Sequence, residues 1–169
     1  MHVAFTRWRL GGLAAVLVIA LAGSLVQYHR ATRATVPEIA AQASLSTRIA
    51  PRQALRMHVD RLGFPQAVAG FKALGGSTFK VGGRNVAAVV FGRDGQRITY
   101  AIVSGTDHVN YYDRAGLYAP RETYVGKRAL NWYGDEMVTV KRNQQTIVIT
   151  GTPASDGLRR TIGQVALGS

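Results

Sequence analysis

The side chains that could support acid, base or metal chemistry are few and widely spaced in this sequence. Asp107, His108 and Asp113 form one local cluster that could hold an oxygen-preferring cation or a small ligand. Calcium loops use more alternating carboxylates than this, so a polar turn is the favoured interpretation. Asp135 and Glu136 lie between two predicted strands, where adjacent side chains point to opposite faces and are poorly placed to act as an acid/base couple.

Motifs of the common enzyme classes are missing. The sequence has no cysteine, which excludes disulfides, thiolate metal sites and a cysteine nucleophile. The glycine pairs at 75–76 and 82–83 fit hairpin turns better than a phosphate loop, and neither G-x-S-x-G nor H-E-x-x-H occurs. We therefore predict that the protein is not an enzyme and that it has no catalytic residue, no cofactor and no metal ion. The alternative is an exported small-ligand-binding protein or enzyme that uses the Asp107/His108/Asp113 loop.

An aromatic segment is the strongest candidate for function. Ser104 to Arg128 is about 25 residues with little strand pattern, longer than an inert loop in a compact domain. Tyrosine and tryptophan near arginine are typical of protein-binding surfaces. Alternatively, the rings cover the open sheet as a second core. The candidate partner-binding residues are Tyr111, Tyr112, Tyr118, Tyr124 and Trp132.

The charge is strongly basic and unevenly distributed. The 169 residues carry 21 Lys+Arg against 9 Asp+Glu, a net charge of +12. Half of that excess lies in residues 1–58, which hold seven arginines and one acid. Because no nucleic-acid motif or Lys/Arg run is present, we expect that the excess positive charge contacts anionic lipid headgroups rather than nucleic acid.

The basic residues flank an apolar segment. Leu10–Val26 contains 17 consecutive uncharged residues, which as a helix span about 26 Å, against a hydrocarbon core of about 30 Å. Trp8 and Arg9 before it, with Tyr28 and Arg30 after it, suit the two membrane interfaces as anchors. We therefore predict a transmembrane helix that contacts membrane lipids.

The orientation and the domain limits follow from this segment. A cleaved signal peptide ending near 20–22 and a buried core helix are the alternatives. Arginines on both sides discriminate poorly, but a short basic start before an apolar core is typical of an export signal, which places the N-terminus inside. We predict a single-pass protein of the cytoplasmic (inner) membrane with a periplasmic, extracytoplasmic C-terminal domain. The parts are a cytoplasmic start (1–9), a transmembrane helix (10–28), a juxtamembrane linker with a short helix (29–49) and an α+β domain (50–169).

Residue periodicity predicts the elements of that domain. Helices are expected at 37–44, at 51–62 and after Ser155 or Asp156. Strands are expected at 71–74, 77–81, 85–91, 96–103, 129–133, 137–142 and 146–150, with Asp94-Gly95 as a tight hairpin turn. Thr139 and Lys141 alternate with valines, which predicts one wet face for their strand. The predicted fold is α+β: a twisted antiparallel sheet of about five to seven strands, flanked by an N-terminal and a C-terminal helix and covered by helices on one face.

Two blocks of the sequence resemble a known family. The block 70–103 begins Gly-Phe-Lys-Ala-Leu-Gly-Gly and continues into a Gly-Gly-Arg-Asn-Val-Ala strand and a hairpin, and 131–151 adds an aromatic strand pair. This pattern is similar to the extracytoplasmic sensor domain of transmembrane anti-sigma factors, which are membrane regulators of transcription. The resemblance covers about residues 50–169 and the single membrane helix.

The resemblance implies a role in envelope signalling. Nine residues precede the apolar segment, so we expect the cytoplasmic sigma-binding domain to be lacking. The implied function is a membrane-anchored protein-interaction or sensor module that acts through a protein partner in the envelope, with no nucleic acid partner.

Overall fold

The computed structural model describes residues 35–45, 47–105, 121–134, 136–151 and 156–168. Within these ranges lie three helices and ten strands. The helices are α1 (Val36–Ser44), α2 (Pro51–Ala54) and α3 (Asp156–Leu167). The strands are β1 (His58–Val59), β2 (Leu62–Gly63), β3 (Ala67–Val68), β4 (Phe71–Val81), β5 (Arg84–Arg93), β6 (Gln96–Val103), β7 (Arg121–Val125), β8 (Arg128–Tyr133), β9 (Met137–Arg142) and β10 (Gln145–Thr150).

Eight of these strands form one antiparallel sheet in the order β3-β4-β5-β6-β10-β9-β8-β7. Two meanders, β4 to β6 and β7 to β10, join through the pairing of β6 with β10. Asp94 (φ 50°) and Gly95 (φ 77°) form the β5–β6 turn with positive φ angles, as the Asp-Gly signal predicts. The predicted antiparallel sheet with a few helices is confirmed, with eight strands in the main sheet.

Apolar side chains cover both faces of the central strands. The larger core contains Phe91, Tyr100 and Ile147 of the sheet and Ile162 of α3. The second core lies on the other face, where α1 packs Val36, Ile39, Ala40 and Ala43 against β5, β6 and β10. The prediction that helices cover one face is therefore wrong, because the alternating strand residues are apolar on both sides.

The C-terminal helix α3 brings the ends of the sheet together. It contacts β9 and also the two terminal strands, β3 and β7. Gly163 allows the close approach, since a Cβ there would lie 2.9 Å from Leu130 Cδ1. The sheet consequently curls around the larger core.

The predicted helix at 51–62 is wrong beyond Ala54. Strands β1 and β2 follow instead, joined through Asp60 at φ 53°. Val59 and Leu62 are cross-strand partners and both are buried, so the apolar spacing that suggests a helix is satisfied equally by a hairpin. Gln145 fixes this hairpin by donating from Nε2 to Val59 O (2.6 Å) and Asp60 Oδ2 (2.9 Å).

The two strands predicted at 71–74 and 77–81 are one strand, β4. Gly75 and Gly76 pair in register with Val90 and Val89 and form no turn, and a bulge lies just before them, between Ala73 and Gly75. Ile49 exchanges two backbone hydrogen bonds with Gly76, of 2.8 and 2.9 Å. A Cβ on Gly76 would lie 2.6 Å from Ala88 O, so glycine here permits close backbone packing.

Three further differences concern Thr139, helix α1 and strand β7. Thr139 is 1 % exposed, so the wet face predicted for β9 is wrong at that position. Helix α1 lies within the segment predicted as a linker (29–49) but packs in the same unit as the sheet. Strand β7 lies within the stretch predicted to lack strands.

None of the described helices is long and apolar enough to cross a membrane, and the span predicted at 10–28 lies outside the described residues.

Candidate functional site

A groove of about 500 Å³ lies between strands β7 and β8 and helix α3. We call it the β7–α3 groove. Its apolar lining includes Val125, Leu130 and Trp132, and its polar lining includes Arg121, Arg159 and Arg160. Two of the predicted partner-binding residues, Tyr124 and Trp132, contribute to it.

Strand register decides which side chains face α3. Arg121 pairs with Trp132 and Thr123 with Leu130, so these four share the inner face. Trp132 is 5 % exposed, and its Nε1 donates to Thr123 Oγ1 at 2.7 Å. The indole is therefore a fixed part of the groove wall with its polar atom satisfied.

Arginines make the groove electropositive. The Arg159 guanidinium lies 5.8 Å from the centroid of the Trp132 ring, and its Nη1 lies 3.8 Å from Asp156 Oδ1. Arg159 is almost buried, whereas Arg121 and Arg160 are exposed at the rim. Three arginines against one aspartate leave a net positive wall, which favours an anionic ligand group.

Tyr124 lies on the outer face of β7, away from the Trp132 ring. It is 65 % exposed, a large value for an aromatic residue in a strand. Glu122 shares that face, and the hydrogen bond between its carboxylate and the Tyr124 hydroxyl raises the pKa of Tyr124. Tyr124 and Trp132 thus contribute to one groove from opposite faces of the sheet. The sequence alone does not show that the Tyr124 ring is exposed and the Trp132 ring is buried.

The remaining predicted site residues lie outside the described ranges. This applies to the candidate partner-binding residues Tyr111, Tyr112 and Tyr118 and to the loop Asp107, His108 and Asp113. It applies equally to the membrane-interface anchors Trp8, Arg9, Tyr28 and Arg30. Those assignments stay predictions.

The two arginines of α3 are not among the site residues predicted from the sequence. Arg159 and Arg160 come near Arg121 only because α3 returns to the terminal strand β7, a long-range contact that local periodicity does not reveal. The one available signal was the pair of adjacent arginines on an otherwise amphipathic helix.

A second cavity of about 410 Å³ lies near the β1–β2 hairpin. It is lined by His58, Asp60, Lys80 and Ser104, among others. Ser104 Oγ already accepts a hydrogen bond from the Asn85 backbone N–H at 3.1 Å. No group of three or more metal-ligating side chains occurs within the part of the chain that the structure describes.

Comparison with known proteins gives no match: no family model, no curated protein and no solved structure corresponds to this chain. The resemblance to anti-sigma factor sensor domains stays a prediction.

Proposed function

We propose that this chain is a membrane-anchored, extracytoplasmic protein-interaction or sensor module that acts in envelope signalling through a partner protein. The partner binds at the terminal strand β7, across the exposed ring of Tyr124 and the arginine rim of the β7–α3 groove. The observation that carries the proposal is the 65 % exposure of Tyr124 beside this electropositive groove.

The composition of this surface favours a protein partner. Tyrosine, tryptophan and arginine dominate the binding energy of protein interfaces, since each buries a large area with few rotatable bonds or several donors. Trp132 is held by Thr123 and Arg159, so the groove wall is preorganised and binding need not order it.

The cellular location rests on the sequence. The uncharged segment Leu10–Val26, the basic start before it and the resemblance of residues 50–169 to sensor domains all support an outward-facing domain. The anchor would tether the domain to the membrane, so that partners in the same membrane are locally concentrated.

A reporter fusion tests the location. Alkaline phosphatase fused after residue 169 should be active, because this enzyme matures only outside the cytoplasm, whereas a fluorescent reporter that matures only in the cytoplasm should be dark. The opposite pair of signals would contradict an extracytoplasmic domain.

Site-specific crosslinking tests the interaction surface. A photoreactive phenylalanine analogue at Tyr124 in the full chain should give a discrete crosslinked product in intact cells. The matched control carries the analogue at Arg97, which is exposed on β6 and does not line the groove. Equal labelling from both positions, or none from Tyr124, would contradict the proposal.

A further inference from the structure

We propose that the β7–α3 groove receives an acidic, extended peptide segment of the partner, which adds to β7 as a further strand and alternates carboxylates with apolar residues. This inference rests on the proposed function and names the chemistry of the partner.

The backbone of β7 supplies the first argument. β7 is the last strand in the sheet order, and β8 is its only strand neighbour among the described residues. No strand of the described residues pairs with the main-chain groups on its other side, and an extended peptide that bonded to them would continue the ladder.

The charge of the inner face supplies the second argument. Arg121 and Arg160 are both exposed, and neither forms an ion pair with a carboxylate within the described part of the chain. Arg159 lies deeper, against Trp132 and Asp156, where it adds positive potential to the wall. Guanidinium groups bind carboxylates in a planar, two-point geometry, so acidic side chains fit this rim better than other polar groups.

The outer face of β7 explains why acidic residues of the peptide should alternate with apolar ones. Glu122 and Tyr124 lie on that face, so a carboxylate there would meet like charge, whereas an apolar side chain would cover the exposed phenol ring. Successive residues of an added strand point to opposite faces. A peptide with acids facing Arg121 and Arg160 must therefore present apolar side chains to Tyr124.

Peptide binding to the full-length chain in an uncharged detergent tests this inference. The probe is a fluorescein-labelled peptide in which aspartate alternates with valine. The comparison peptide has the same composition with its aspartates in one block, and fluorescence anisotropy measures both affinities. We expect the alternating peptide to bind about tenfold more tightly, because only its register serves both faces.

Charge reversal assigns the site. The double variant Arg121→Glu/Arg160→Glu should weaken binding of the alternating peptide about 100-fold, about tenfold for each arginine. The matched control Arg52→Glu/Arg97→Glu changes the net charge equally at exposed positions outside the groove and should weaken binding less than threefold. Equal losses in both variants would overturn the assignment.

Amide hydrogen exchange tests the strand addition. The β7 amides that do not bond to β8 should become protected when the alternating peptide binds. Binding that leaves β7 unprotected would overturn the inference. It would also be overturned if vesicles of anionic phospholipid or single-stranded DNA bound equally tightly at the same arginines, or if a dimer protected β7 without peptide. If the acidic peptide fails to bind while Tyr124 still crosslinks a partner, this inference fails and the proposed function stands.

Discussion

The central strands and the terminal strand of the same sheet have opposite surroundings. In β5, β6 and β10 the runs 86–91, 98–103 and 145–149 are buried throughout, because α1 covers one face and the larger core covers the other. In β7 no residue is fully buried. Burial on both faces stabilises the middle of the fold, whereas β7 leaves its side chains exposed or half-buried at the end of the sheet order.

This contrast first predicts a large loss of stability from the centre of the sheet. Ile147→Ala in β10 removes a completely buried side chain of the larger core and should lower the free energy of unfolding by about 4 kcal/mol. Urea unfolding followed by Trp132 fluorescence in a Trp8→Phe background measures it. Val125→Ala in β7, which is half-buried, is the matched control and should cost about 1 kcal/mol. Equal losses at both positions would remove the distinction between centre and edge.

The second prediction concerns helix α1. Ile39→Ala should lower the free energy of unfolding by about 3 kcal/mol. Ile39 lies on the buried face of α1 and is 0 % exposed, and relaxation of the surrounding residues only partly fills the cavity that the substitution leaves. Leu45, just after the helix, is 83 % exposed, so Leu45→Ala should change it by less than about 0.5 kcal/mol. If both variants unfold at the same urea concentration, α1 is a linker helix rather than a part of the core.

The outcomes for helix α1 and for the helix predicted at 51–62 show what the sequence can predict. Helix α1 has strong local signals, a proline in its first turn and Thr35 with Glu38 as a capping box, and its existence is confirmed. Its packing partner is a property of the tertiary fold, and so its role as a core element could not be predicted. For 51–62 the i, i+3 and i+4 apolar spacing favoured a helix, while the hairpin is fixed by Gln145, 85 residues away from Asp60.

The candidate site divides in the same way. Clustered aromatic residues indicated an interaction surface, and Tyr124 and Trp132 do contribute to one groove. The sequence could not show that Trp132 is buried, since it packs in the larger core with residues distant in the chain and the Arg159 guanidinium of α3 lies over its ring. The central strands were predicted well because alternation and the Asp-Gly turn are local, whereas the groove is made by the return of α3 to the sheet edge.

The third prediction measures how firmly the groove wall is held. Thr123→Val removes the acceptor of the Trp132 Nε1–H and should lower the free energy of unfolding by about 1 to 2 kcal/mol, because a largely buried donor loses its partner. Trp132→Phe removes the donor, so adding Thr123→Val to that background should cost clearly less than it does in the wild type. Costs that simply add would show that the 2.7 Å hydrogen bond contributes no coupling.

The smallest effect is expected at Tyr124 itself, where stability and function should separate. Tyr124→Ala should change the free energy of unfolding by less than about 0.5 kcal/mol, because the ring is largely exposed, yet it should weaken partner binding. The Glu122 carboxylate raises the pKa of Tyr124, since it accepts a hydrogen bond from the neutral phenol and repels the phenolate. Glu122→Gln should therefore lower this pKa, measured by NMR titration of ring-labelled tyrosine with Tyr124→Phe to assign the signal. An unchanged pKa would mean that the two side chains are not in contact in solution, and the Glu122 carboxylate would then not repel an acidic residue of the peptide placed over the Tyr124 ring.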